Sequence, residues 1–371
     1  MSSDELYLDW NATSPLAPEV IAAMTEAQTQ LWGNPASVHG SGRRARGALE
    51  EAREALGSAF DFASRDVLFC GSGTEANNLA LSGCEALVTS RLEHPSVVRV
   101  ADRLAREGRP VVWLPVAPEG LVSASDVEAA LTQLPGGLNV TVAVMAANHE
   151  TGVLQPIRGI SQVASRYGAR LHVDAVQLLG KGSLDELELV TSLSVSAHKI
   201  RGPKGIAALL FRGPPPTPVL VGGAQERGLR PGTQDAVAAV GFRVALARAL
   251  ERQTSGAARL AELRDQLEVA CSGFADVNGC GARLPHVTNL SFYDFPGPEL
   301  VAALDLHHIR VSSGSACSAG TSEPSEVIAA MHGRLRAERA VRFSLGESTD
   351  AASILRLTEV LAQLLPPRRE H

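Results

Sequence analysis

Seven short apolar runs, at residues 67–70, 86–89, 111–114, 140–145, 170–173, 193–196 and 206–211, set the architecture. Each has the length of a strand buried on both faces. Stretches of helical period lie between several of them, at 97–107, 125–134 and 157–167. Such alternation predicts an α/β fold, a mostly parallel sheet covered by helices. Ahead of the sheet the pattern predicts a short strand at 6–8, a helix running to Gln30 with Ser14 as cap and Pro15 first, and a helix over 43–60.

Past Arg252 the texture changes. Helical patterns at 236–250 and 257–271 lead into strand candidates at 289–292, 309–312 and 340–344, separated by helices near Glu299 and Glu326. This reads as a smaller α+β domain over 253–371, joined by the N-terminal segment 1–14, beside a large domain over 15–252. A chain of 371 residues that is 45% hydrophobic can bury two such cores.

Charge and cysteine usage exclude several functions. The formal net charge is −6 with both signs interspersed, so no nucleic-acid footprint is expected. No apolar run is long enough to span a bilayer, and the acidic start Ser3-Asp4-Glu5 is unlike a signal peptide, which predicts a cytoplasmic protein without a membrane partner. The five cysteines, Cys70, Cys84, Cys271, Cys280 and Cys317, include no Cys-x-x-Cys spacing. Neither a disulfide framework nor a metal site is expected, and a functional cysteine must act as a single thiol.

In a parallel sheet, ligands sit beyond the carboxyl ends of the strands, so the residues that follow each run carry the information. After residue 70 comes Gly71-Ser72-Gly73-Thr74 opening a helix, which aims backbone N–H groups at an anion, although an ordinary strand-to-helix connection has the same look. Glu93-His94, Asn148-His149-Glu150 and Asp174-Ala175-Val176-Gln177 follow later runs, and Ser196-Ala197-His198-Lys199 closes another. A lysine delivered by a buried strand can become a neutral, nucleophilic amine, whereas a solvated loop lysine such as Lys204 does nothing of the kind. Asn34 and His39 lie in a Gly/Pro loop that is either a plain connection or a pocket wall. Residues 222–233 form a long loop ending in Thr233, a length that usually signals function. Cys317 stands in a small-residue loop suited to an accessible thiolate, and Arg342 on a later strand offers a fork for a carboxylate.

Together these residues carry a family pattern. Leu8-Asp9-Trp10-Asn11-Ala12-Thr13, Gly33-Asn34-Pro35-Ala36-Ser37, Gly73-Thr74-Glu75, Glu93-His94, His172-Val173-Asp174-Ala175, His198-Lys199, Glu226-Arg227-Gly228, Ser312-Ser313-Gly314-Ser315-Ala316-Cys317 and Arg342-Phe343-Ser344-Leu345-Gly346 run in family order over nearly the whole chain. The chain resembles the cysteine desulfurases of the NifS/IscS group, class V aminotransferases of the pyridoxal-phosphate-dependent transferase fold type I. The resemblance implies pyridoxal 5'-phosphate held by Lys199. Gly73, Thr74, Ser196 and His198 would take its phosphate, with Thr233 reaching the phosphate of a second subunit in a homodimer. Asp174 would pair with the ring nitrogen, Gln177 would bond the ring oxygen, and His94 would stack on the ring and move protons. Asn34 and Arg342 would hold the carboxylate of L-cysteine. Cys317 would take its sulfur as a persulfide, leaving alanine, and pass it to an acceptor protein.

Two departures stand out. His149 occupies the place of a second Asn that usually contacts the ring oxygen; an imidazole donates there only in one tautomer or when protonated, so the cofactor spectrum is expected to follow pH across the histidine range. Gln225 stands where the family often has His. A selenocysteine lyase or another class V aminotransferase would share Lys199 and Asp174, but an aminotransferase has no use for Cys317. A silent scaffold would need none of Lys199, Asp174, Cys317 and Arg342.

Overall fold

The computed structural model describes residues 5–314 and 323–365. The chain begins with β1 (Leu6–Tyr7), α1 (Pro18–Gln30) and α2 (Gly40–Ala59). It continues through β2 (Val67–Cys70), α3 (Gly73–Leu81), β3 (Ala86–Thr89), α4 (Pro95–Arg106), β4 (Val111–Trp113) and α5 (Ala124–Gln133). Then come β5 (Val140–Ala143), α6 (Ile157–Arg166), β6 (Arg170–Asp174), β7 (Ser192–Ser196) and β8 (Ala207–Phe211). β2 to β8 form one seven-stranded sheet in the order β2-β8-β7-β6-β5-β3-β4. Only β8 runs against its neighbours, so the carboxyl ends of the other strands open on one edge. β2, β3 and β8 show no polar alternation because helices cover both faces, and every residue of the three is buried.

A single helix, α7 (Ala236–Cys271), covers the 36 residues in which the sequence pattern predicts two helices. The polar stretch after Leu250 breaks the apolar period without breaking the backbone. It contains no proline to interrupt the helix, and a side chain on Gly256 would meet nothing within 4 Å. Beyond α7 lie β9 (Ala275–Val277), β10 (Val287–Phe292), α8 (Gly297–Leu306), β11 (Ile309–Arg310), α9 (Glu326–His332), α10 (Arg334–Ala337), β12 (Ala340–Ser344) and α11 (Ala351–Leu364). β12, β10 and β9 make an antiparallel sheet.

The apolar interior separates accordingly. One cluster gathers side chains between the large sheet and its helices, including Val142, Val173, Val195 and Phe242. A second joins Leu267 and Cys271 of α7 to Leu290, Phe292, Phe343 and Leu357. Leu6 and Leu8 belong to this second cluster, because β1 pairs in parallel with β11 and Asp9 bridges to Ser344. The N-terminal residues thus pack with the last quarter of the chain before entering the first helix.

That helix starts later than the sequence suggests. Pro18 opens α1 and Ala17 precedes it, with no side-chain cap. Ser14 bonds elsewhere, since its Oγ donates to His198 O at 2.7 Å and accepts the Arg201 N–H at 2.8 Å. The hydroxyl expected to cap a helix ties the N-terminal segment to the turn after β7.

Candidate active site

The turn after β7 is rigid for local reasons. Ala197 is fully buried, and its carbonyl accepts the N–H groups of both Ile200 and Gly202. A Cβ on Gly202 would stand 2.8 Å from that carbonyl oxygen, so only glycine permits the close turn. The next residues are thereby fixed. Lys199 Nζ donates to Asn11 O at 2.5 Å and to Ala12 O at 2.8 Å. His198 Nδ1 lies 3.1 Å from Thr13 Oγ1; burial, and then Lys199, Lys181 and Lys204, push its pKa down to about 4. The ring is neutral at physiological pH.

Beside Lys199 opens the start of α3. Ser72 Oγ accepts the Glu75 N–H at 3.1 Å and the Gly71 N–H donates to Glu75 Oε2 at 2.6 Å, while Arg230 Nε binds Glu75 Oε1 at 2.8 Å. A Cβ on Gly73 would lie 3.1 Å from Val176 Cγ2 and 3.9 Å from Ser196 Cβ, so the glycine keeps open the space between them. Ser196 Oγ, buried at this point, has no hydrogen-bond partner among the described residues. A buried orphan hydroxyl is costly unless something occupies the space beside it, and the helix start favours an anion.

Asp174, at the end of β6, is held from two sides. Its Oδ1 accepts the Val176 N–H at 3.0 Å and its Oδ2 accepts from Asn77 Nδ2 at 2.8 Å. Asn77 Nδ2 also donates to Ser96 Oγ at 2.8 Å, which lies 2.8 Å from His94 Nδ1. Its Oδ1 is 3.0 Å from His172 Nε2, and His172 Nδ1 meets Ser192 Oγ at 2.9 Å. Burial pushes the His172 pKa to about 4, leaving a neutral ring that props Asn77. His94 caps α4 through its own Nδ1; burial lowers its pKa, with Asp174 opposing and Lys199 reinforcing the shift.

On the remaining side Arg342 is 2% exposed. Its Nη2 donates to Asp9 Oδ1 at 2.7 Å and its Nη1 to His149 O at 3.1 Å, while Nε lacks a partner among the described residues. Gln177 Nε2 donates to Asn11 O at 3.0 Å. The His149 ring meets that of His94 edge to face, with centroids 5.4 Å apart. The expectation that His149 titrates across the ordinary histidine range needs correction. Burial first, then His94, Arg342 and Lys199, hold its pKa far below that range, so it is a neutral ring throughout.

These groups enclose a cavity of about 190 Å³. Of the residues expected at the site, Gly73, Thr74, His94, His149, Asp174, Gln177, Ser196, His198, Lys199 and Arg342 line it. Asn34 and Thr233 do not: both are exposed, and Asn34 Oδ1 accepts the Ala36 N–H at 2.9 Å, closing its own loop. Cys317 lies outside the described residues. Sequence patterns missed Asn77, Ser96, His172 and the hub Asn11, whose Nδ2 donates to His149 O at 3.1 Å and whose Oδ1 meets His286 Nε2 at 2.7 Å. His172 and Asn11 were visible only as motif residues, and the other two only as polar residues near motifs. No group of three metal-binding side chains occurs among the described residues, and no described helix is long and apolar enough to cross a membrane.

An amine, a fixed carboxylate and an anion cradle around one cavity suit a molecule bearing a carbonyl, a protonated ring nitrogen and a phosphate. Sequence comparison agrees: the aminotransferase class-V family model matches residues 6–357. The chain belongs to the class-V aminotransferases. These are pyridoxal-phosphate enzymes, and the donor set just described fits that cofactor. Within the class-V aminotransferases, a cysteine desulfurase of Cereibacter sphaeroides is 40% identical, covering 99% of this chain and 97% of its own. The X-ray structure of a NifS-like protein from Rickettsia africae superposes with a TM-score of 0.89 at 28% identity, covering 97% of this chain and 99% of its own. SspA in complex with cysteine matches with a TM-score of 0.79 at 29% identity, covering 92% and 98%.

Proposed function

We propose that the protein is a cysteine desulfurase that converts L-cysteine to L-alanine and holds the sulfur as a persulfide on Cys317. The observation that carries this reading is the Lys199 amine and the Asp174 carboxylate facing one cavity beside an unpartnered Ser196 hydroxyl, in a chain whose full-length relatives include cysteine desulfurases.

Bound there, pyridoxal phosphate supplies a carbonyl for the substrate amine and an electron sink for the pair left at its α-carbon. Lys199 would attach it and later take or return a proton at Nζ. Asp174, kept in place by Asn77 and the Val176 N–H, would hold a proton on the ring nitrogen. Ser196, His198, Thr74 and the N–H groups from Gly73 onward would bind the phosphate. His94, pinned through its Nδ1, would present the rest of its ring to the cavity for stacking and proton transfer. Arg342 lines the cavity and keeps N–H donors beyond the two engaged by Asp9 and His149 O, so it would hold the substrate carboxylate. The Cys317 thiolate would attack the substrate sulfur. The sulfur–cysteine bond forms, the carbon–sulfur bond breaks with its electron pair going to carbon, and a proton delivered there completes alanine.

The selenocysteine and aminotransferase alternatives are not favoured by the relatives. Thr233, exposed on its own chain, fits a reach into a second subunit, and we take the working form to be a homodimer. We read the two apolar clusters as cores of two domains that share α7. A sulfur-acceptor protein is required by the persulfide chemistry. Free Cys70, Cys84, Cys271 and Cys280 suit a reducing cytoplasm. The test is to incubate the purified, cofactor-loaded protein with L-cysteine and a reductant: sulfide and alanine should appear in equal amounts. Pyruvate in place of alanine, or no sulfide, overturns the reading.

A further inference from the structure

We infer that Lys181 is a positioning residue for this site: its side chain fixes the Gln177 carboxamide so that the amide NH₂, and not the oxygen, is offered to the cavity. The inference rests on the cofactor reading above and names a residue behind the site.

Lys181 Nζ donates to Gln177 Oε1 at 2.8 Å, and Gln177 Nε2 donates to Asn11 O at 3.0 Å. The Asn11 contact by itself imposes the orientation, because a backbone carbonyl can only accept and so must face the amide NH₂; Lys181 Nζ, charged or neutral, then donates to the amide oxygen and holds it there. Flipping the amide would set two acceptors face to face at Asn11 and, with Lys181 charged, two donors face to face at Nζ. One hydrogen of the NH₂ is used by Asn11, and Gln177 borders the cavity, so the second is available to an oxygen anion there.

The backbone is built to bring Lys181 to this position. Gly180 has φ +70°, and a Cβ on it would come within 2.7 Å of Ala249 Cβ in α7. Only glycine lets the chain turn there and direct the following lysine inward. The groups whose charges act between Lys181 and its surroundings are Lys199 and His198 from the turn after β7, His286 ahead of β10 and Arg342 of β12. Glu251 and Glu347 stand farther along the cleft that Lys181 borders on its other side. Burial, then Lys199 and Arg342, bring the Lys181 pKa down to about 7. Its charge, when present, polarises the amide and strengthens the NH₂ as a donor.

The experiment compares wild type, Lys181→Met, Lys181→Arg, Gln177→Met and the double variant Lys181→Met/Gln177→Met, each loaded with pyridoxal phosphate. The reading is the midpoint of the pH-dependent change in visible absorption. Lys181→Met should raise the midpoint by about one unit, since losing a donor and a nearby positive charge favours the protonated chromophore. Lys181→Arg should restore the wild-type midpoint. In the Gln177→Met background, Lys181→Met should shift the midpoint by clearly less, because only the direct effect of its charge remains. A midpoint unchanged in Lys181→Met, or a shift that persists undiminished without Gln177, overturns the inference. Should Lys181→Met fail to fold, Lys181→Gln removes the charge with a polar head retained and is read against the same criteria. Wild type that takes up no pyridoxal phosphate would instead overturn the cofactor reading, and this inference with it.

Discussion

Replacing Glu226 by Ala should cost about 4 kcal/mol of stability, near the middle of the range for breaking a buried ion pair. The Glu226 carboxylate receives both Arg53 Nη atoms at 2.9 Å, the Phe69 N–H at 3.0 Å and Gln234 Nε2 at 3.1 Å. Arg53 is only 8% exposed and Glu226 5%. Truncation leaves a buried guanidinium supported by Val67 O and by the half-exposed Glu50, and an orphan N–H at Phe69, for which about 1–3 kcal/mol is already charged within that total. The site should suffer as well, because Glu226 pins the loop carrying Thr233 to β2, directly ahead of the anion cradle. Urea unfolding of the two proteins gives the stability difference, and cofactor uptake gives the functional one. A further control removes both charges: Arg53→Met with Glu226→Leu should recover most of the loss, since desolvation consumes much of what a buried pair gains. The pH dependence has a definite sign. Burial raises the Glu226 pKa but Arg53 and the N–H of Phe69 outweigh it, leaving it below the ordinary value. The stabilisation is therefore complete above a pH of about 4.3 and is lost as the pH falls through the lowered folded value. A loss below about 1 kcal/mol in Glu226→Ala, or a double variant no better than the single one, would refute the reasoning.

Three other outcomes follow. Borohydride reduction of the loaded protein should fix the label on Lys199, as peptide mapping will show, and label on the exposed Lys204 would displace the assignment. Cys317→Ser should still take up cofactor and change its spectrum with cysteine, yet release almost no sulfide; full activity would move the sulfur-accepting role elsewhere. His149→Asn should leave the pH profile of the visible spectrum unchanged between about pH 6 and 8, as a ring held neutral by burial has no charge to lose there. In stability the same burial acts in the other direction: protonation of His149 and His172 favours the unfolded chain, so wild type weakens as the pH falls below about 6.5, and His149→Asn weakens less.

The strands of the large sheet were legible because each is a short segment dominated by apolar residues or carrying them in alternation, as Leu193 and Val195 do in β7, and the helices between them because one face of each is buried. The polar residues just past the strand ends were legible as site residues for the same topological reason. Local pattern failed where partners are distant in sequence. Asn11 reaches His149 across 138 positions and His286 across 275, and nothing in its neighbourhood foretells a hub. Ser14 looked like a cap because Pro15 follows it, but its hydroxyl had a competing partner in the turn after β7. Asn77 sits inside α3, where an asparagine reads as a mild defect; its worth lies in the Asp174 carboxylate that the sheet brings beside it. β9 is three residues long with a single buried side chain, too little for any periodic signal.

The pairing of β1 with β11, and of Asp9 with Ser344, bears on when the site can come into being. During synthesis the Asn11 and Ala12 carbonyls that receive Lys199 Nζ leave the ribosome early, but the segment carrying them is held only on its Ser14 side, by the turn after β7, until β11 and β12 have emerged to pair with β1 and Asp9. The large sheet can gather around its own core well before that, with Lys199 already in its turn and those two carbonyls not yet in place. Contacts between the two ends of a chain are slow to close, so they set the last step. Capture of the cofactor in its finished setting is thus tied to completion of the polypeptide, and a nascent chain stalled short of Ser344 would carry the lysine without the seat that orients it.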